Sequence, residues 1–183
     1  MAWPGIIPEA FQLAQPDGRL DESRFYGPYT LLLSYLFPMD ERFMICPQYK
    51  HPGQSKSIDF TMIFIVSHNE HPVFFVEVKP SGHVDHITSR ESADKQMRKR
   101  YKDLGRSVEI PILYGMSALG TKVSFYTYDK GTRSILPKTI KDDGDVVIDT
   151  APADHWSLDV MTPDGERKLR EVVNQVKVMC AQL

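Results

Sequence analysis

Cysteine is scarce in this chain of 183 residues: only Cys46 and Cys180 occur, near opposite ends and without the paired spacing of a metal site. That excludes a disulfide framework and points to a reducing, intracellular setting, cytoplasmic or nuclear. Long apolar runs are missing too. The longest, such as Leu31 to Leu33 and Val73 to Val76, fall far short of the ~20 residues a membrane helix needs, so a soluble protein with no membrane partner is expected. The opening MAWPGIIPEAFQ has neither the basic start nor the apolar stretch and cleavage site of a secretory signal. No surplus of positive charge exists either, with 22 Lys and Arg against 24 Asp and Glu and a formal net charge of −2. Any surface for a polyanion must therefore be local. Repeats, low-complexity tracts, a phosphate-cradling glycine loop, a helix-turn-helix and a zinc finger are all absent, which leaves sequence-specific reading of DNA without a recognisable element. What is present, 42% hydrophobic and 25% charged residues, suits one compact domain of ordinary size.

Residues 1–20, with Pro4, Pro8 and Pro16 and two glycines, read as an irregular arm over the domain surface. From Asp21 apolar residues recur at helical spacing until Pro38 stops them, and Pro28 predicts a short turn before a helix over about 28–37. FMICPQY at 43–49 reads as a strand with an edge-type proline. IDFTMIFIV at 58–66 and PVFFVEVK at 72–79 are β-rich, and the SHNEH segment between them predicts a hairpin. RESADKQMRKRYKDLG places Ala93, Met97, Tyr101 and Leu104 within about 80° on a helical wheel, an amphipathic helix closed by Gly105. IPILYGMS at 110–117 is apolar throughout, as in a strand covered on both faces. A turn at 129–131 links two further strands, the acidic Asp142, Asp143 and Asp145 suit a solvated loop, and a last amphipathic helix begins near 165. The expected fold is α/β with a mixed central sheet: an arm (1–20), a core of helix, three strands, helix and strand (21–117), then a β-rich extension and a C-terminal helix (118–183).

Strand alternation gives VFFVEVK its chemical interest. Residues 73, 75, 77 and 79 share one face, so Glu77 and Lys79 project side by side from an otherwise apolar strand. The plain explanation is a strand end emerging into solvent, marked by Pro80, with a surface pair worth little. Asp59, in SIDF at the start of the preceding β-rich run, changes the balance: antiparallel pairing around 67–71 brings it near the Glu77 and Lys79 end. Two carboxylates so placed repel, and a hard divalent cation with oxygen ligands, Mg²⁺ or Mn²⁺, would hold them together, with the backbone carbonyl of Val78 as a further ligand. Lys79 would orient a water or stabilise charge on a phosphate.

Asp59 followed by Glu77, Val78 and Lys79, set in the order helix, three strands, helix, strand, resembles the PD-(D/E)XK nuclease superfamily with its restriction-endonuclease-like fold, over roughly residues 21–117. Ile58 stands where the family name has proline. FYGPY at 25–29, PQY at 47–49, SIDF at 57–60, ADKQMRKRY at 93–101 and SALGTKVSFY at 117–126 are also similar to fungal proteins of that fold, a likeness that brings no substrate with it. The resemblance implies a metal-dependent endonuclease that hydrolyses phosphodiester bonds in DNA or RNA. It implies Asp59 and Glu77 as metal ligands, Lys79 as catalytic, Gln96 as a polar residue facing the site from the following helix, and Glu22 as the acid supplied by the first helix. Cutting both strands of a duplex would favour a homodimer. The competing class is an inactive nuclease-fold protein that binds nucleic acid or another protein.

On the wheel Gln96 and Arg100 lie about 60° and 20° from Ala93, at one flank of the buried stripe, where both could reach toward the site. A flank glutamine bonded to backbone and a snorkelling arginine fit equally well. Between Arg90 and Arg106 seven basic side chains face three acidic ones, and Lys95, Arg98, Lys99, Arg100 and Lys102 form a candidate phosphate-contacting face, although a basic outer face is often just solvated. The pairs His83 and His86, and His68 and His71, lack the further ligands zinc needs. Ser117 in GMSALG lacks the second glycine of a nucleophile elbow. Trp3 and Trp156 read as surface anchors or partial core.

Overall fold

The computed structural model describes residues 2–49, 62–141 and 148–183. Asp59, the early part of the 58–66 run and Asp142, Asp143 and Asp145 lie outside the described residues. The architecture is α/β: a mixed sheet of seven strands with four α-helices among the described residues.

The first element departs from the sequence expectation. Residues 6–14 are not irregular but form helix α1 (Ile6–Ala14), which buries Ile7, Phe11 and Ala14. Pro8 is harmless there because it sits in the first turn, where the backbone N–H has no intrahelical partner to lose. Trp3, 6% exposed, is likewise core, its indole N–H donating to the Val160 carbonyl at 2.7 Å. Pro28 is tolerated for the same reason in α2 (Tyr26–Leu36), which therefore starts two residues before the expected helix, directly after a 3-10 turn at Glu22–Phe25.

Strands β1 (Phe43–Tyr49), β2 (Met62–His68) and β3 (His71–Lys79) form an antiparallel meander. β1 is a sheet edge, where Pro47 costs no ladder bond. The β2–β3 loop is Asn69 and Glu70, both at positive φ (49° and 70°), the backbone of the tight hairpin turns whose twist matches the strands. Helix α3 (Ile87–Leu104) then crosses back so that β4 (Ile112–Leu119) runs parallel to β3. β5 (Lys122–Asp129) pairs with β4, and β6 (Ser134–Leu136) and β7 (Leu158–Asp159) both pair with β5. Helix α4 (Pro163–Cys180) closes the chain, capped by the Thr162 hydroxyl.

The two faces of the sheet are covered differently. Phe64 and Phe74 meet Tyr26 and Phe37 on the α2 side. Phe75, one residue out of phase with Phe74, meets Tyr101 of α3 edge-on at 5.0 Å. Gly115 permits this approach, since a Cβ there would stand 2.6 Å from the Phe75 ring and 2.7 Å from the Tyr101 hydroxyl. The face carrying 75, 77 and 79 is therefore the α3 face. Gly105 caps α3 with right-handed backbone (φ −57°), so its role is closeness to Tyr101 and Tyr128 rather than a left-handed turn. No helix among the described residues is long and apolar enough to cross a membrane.

Candidate functional site

Glu77 and Lys79 lie near the C-terminal end of β3 under α3, 2% and 5% exposed. They are not a solvated strand end. Taking either charge out of water costs several kcal/mol unless other groups compensate it, so a purely structural strand has little reason to hold both. The register places Ile63 of β2 on one side of Glu77 and Ser117 of β4 on the other. Ser117 is 1% exposed, and its hydroxyl accepts the indole N–H of the equally buried Trp156 at 3.2 Å. Lys79 stands beside Leu119, and its carbonyl accepts the Gly120 N–H at 3.0 Å. Leu119 packs with Ala93, Ala151 and Trp156, an apolar plug at this end of the α3 face.

One side chain of α3 reaches Glu77 from above, and a second lies a turn earlier on the same flank of the helix. Arg100 brings its Nε to 3.9 Å from the Glu77 carboxylate. Gln96, one helical turn earlier on the same flank, is partly buried, and its Oε1 has no hydrogen-bond partner among the described residues. A buried amide oxygen without a donor is uncommon and marks a place where a cation or donor is accommodated well. Val78 faces the opposite side, paired with Ala118 in the parallel ladder.

Glu22 is placed differently. It opens the 3-10 turn before α2 and accepts the Tyr26 hydroxyl at 2.7 Å, and Tyr26 packs on Phe64, on the face opposite Glu77. Among the five α3 residues of the candidate phosphate-contacting face, Lys95, Lys99 and Lys102 are exposed, whereas Arg98 turns inward. Its guanidinium bonds both oxygens of Asp94 (2.7 and 2.9 Å) and the Pro137 carbonyl (2.9 Å), over the Tyr126 ring. Tyr126 also donates to Asp94, at 3.0 Å. His71 contacts Glu109 and the Ser107 carbonyl, and His68 packs on Phe43.

No group of three or more His, Cys, Asp or Glu side chains able to hold a metal occurs among the described residues. Around the end of β3 they supply one buried carboxylate, Glu77, and one open amide oxygen, Gln96. Asp59, the second carboxylate expected from the sequence, lies outside them.

Comparison with protein-family models, with curated proteins and with solved structures gives no match. The functional reading therefore stands on the site alone. Ser117 and Trp156, now buried beside Glu77, carry no local signal in the sequence: their approach depends on the β3–β4 register and on a contact 39 residues apart.

Proposed function

We propose that the chain is a Mg²⁺- or Mn²⁺-dependent nuclease, hydrolysing phosphodiester bonds on a restriction-endonuclease-like core formed by α2, β1, β2, β3, α3 and β4. The observation that carries this reading is the burial of Glu77 and Lys79 on one face of β3 with Arg100 and Gln96 above them. An acid, an amine, a guanidinium and an open amide oxygen in one enclosed place suit phosphoryl chemistry better than strand stability.

Glu77, Asp59 and the Val78 carbonyl would hold the ion, which when bound supplies Lewis-acid stabilisation of phosphoryl charge and a more acidic water. Lys79 orients the water or balances charge on the phosphate. Arg100 would stabilise a phosphate oxygen, and the Gln96 amide would fix the position of a ligand beside it. Lys95, Lys99 and Lys102 attract the polyanion.

One observation favours a second reading, a nuclease-fold module that binds without turnover: Glu77 is nearly inaccessible and already has a guanidinium close by. A single series separates them. Purified protein is incubated with plasmid, single-stranded DNA and RNA, each with Mg²⁺, Mn²⁺ or EDTA, and its thermal stability is followed with the same ions. The nuclease reading expects metal-dependent cleavage of at least one substrate and a Mn²⁺-dependent gain in Tm that Glu77→Ala removes. The binding reading expects a gain from nucleic acid alone.

A further inference from the structure

We propose that the nucleic-acid surface extends beyond α3 onto the segment that leaves β6, with Lys138 and Lys141 contacting the phosphate backbone together with Lys95, Lys99 and Lys102. This inference rests on the nuclease reading for the identity of the polyanion. Its physical basis is the inward turn of Arg98. By donating to the Pro137 carbonyl at 2.9 Å, Arg98 ties the chain after β6 against the middle of α3. The chain is tied to the same helix again at its first turns, where Arg90 takes the Ala151 carbonyl at 2.8 Å and the Asp149 carboxylate, and Glu91 takes the Thr150 hydroxyl at 2.9 Å. Lys138 follows the first tie directly. Lys95 and Lys102 flank Arg98 at one helical turn on either side, so the lysines of the helix and of the segment belong to one surface.

All five are exposed, and none makes an ion pair among the described residues. That differs from α4, where Arg167, Lys168, Arg170 and Lys177 all have acidic partners. A helix with its side chains is ~10–12 Å across, so this surface spans several phosphates of one strand. Arg98 is a positioning residue here: its charge is consumed by Asp94, and it acts by holding Lys138 in place.

The test is the salt dependence of binding, read by anisotropy in EDTA so that no cleavage intervenes. The probes are fluorescein-labelled duplex DNA and single-stranded RNA. Loss of two phosphate contacts in Lys138→Ala/Lys141→Ala should make binding about tenfold less sensitive to salt between ~50 and 200 mM. Arg98→Gln should reduce the slope in the native background and leave it unchanged once both lysines are gone, which a general loss of stability would not do. Hydrolysis of bis(p-nitrophenyl) phosphate with Mn²⁺ is measured on the native protein alongside, so failure of the catalytic reading shows as no hydrolysis there and failure of the surface shows in the slope. Equal slopes for native and double-variant protein would overturn the proposal. Binding to phosphatidylserine vesicles with no binding to either nucleic acid would overturn it too, and would assign the surface to anionic membranes.

Discussion

Arg100 of α3 holds its Nε 3.9 Å from the carboxylate of Glu77, an acid 2% exposed in the strand beneath. Such a pair is sensitive to the loss of one partner, because the buried charge left behind loses part of its compensation. Arg100→Ala should cost about 1–3 kcal/mol by urea denaturation. In a Glu77→Gln background the same change should cost clearly less, and equal costs in the two backgrounds would show that the groups do not interact.

Asp94 is a buried acid of α3, accepting from Arg98 and Tyr126. Tyr126→Phe removes a hydrogen bond to a charged acceptor and should cost ~1.5–3 kcal/mol. Burial, then the Asp94 charge, pushes the Tyr126 phenol well above its ordinary value of 10.0, and burial does the same to Tyr29 and Tyr101. The sign follows: the unfolded chain ionises these phenols first, so their stabilising effect is complete below pH 10 and is lost as pH rises beyond it. Stability measured against pH should fall on the alkaline side, less steeply in Tyr126→Phe, and native protein should show fewer tyrosinates than unfolded chain at the same alkaline pH.

How much of this was legible in the sequence depended on the range of the interaction. Period-two alternation in VFFVEVK placed Glu77 and Lys79 on one face, and the apolar stripe of α3 fixed which helix face turns inward. Those are local patterns, and burial follows them. The α1 helix was hidden because Pro4 and Pro8 look like loop residues until the helix start is known, after which Pro8 falls in the permissive first turn. Arg98 looked like a member of a basic face, and Arg90 like one more charge of the same basic segment. Besides the nearby Val84 and Asp94, their partners are Asp149 and Ala151 for Arg90 and the Pro137 carbonyl for Arg98, 39 to 61 residues away and beyond any wheel. Glu22, read as a candidate site acid, opens the 3-10 turn before α2 and accepts the Tyr26 hydroxyl, a local bond that the sequence reading did not anticipate.

Arg90, 5% exposed, forks between the Val84 and Ala151 carbonyls and the Asp149 carboxylate. Arg90→Ala should therefore destabilise the protein by ~3–5 kcal/mol. Arg90→Lys should recover little, since an ammonium lacks the planar fork. Hydrogen exchange should show the largest local loss of protection at Ala151, and a uniform loss over the whole sheet would argue against a clamp.

Burial pushes the Cys180 thiol up to about 11, whereas Cys46 lies partly exposed on the edge strand. Near neutral pH a thiol reagent should label Cys46 first, and Cys180 only on unfolding. Two equally fast thiols in native protein would contradict the packing of α4.

The most direct measurement is the cleavage assay repeated on Asp59→Asn, Glu77→Gln and Lys79→Met, each checked by circular dichroism for native helix and strand. The account predicts Mn²⁺- or Mg²⁺-dependent phosphodiester hydrolysis by the native chain and its loss, by about a hundredfold or more, in every one of the three. Folded variants that all cut as well as the native protein would contradict it.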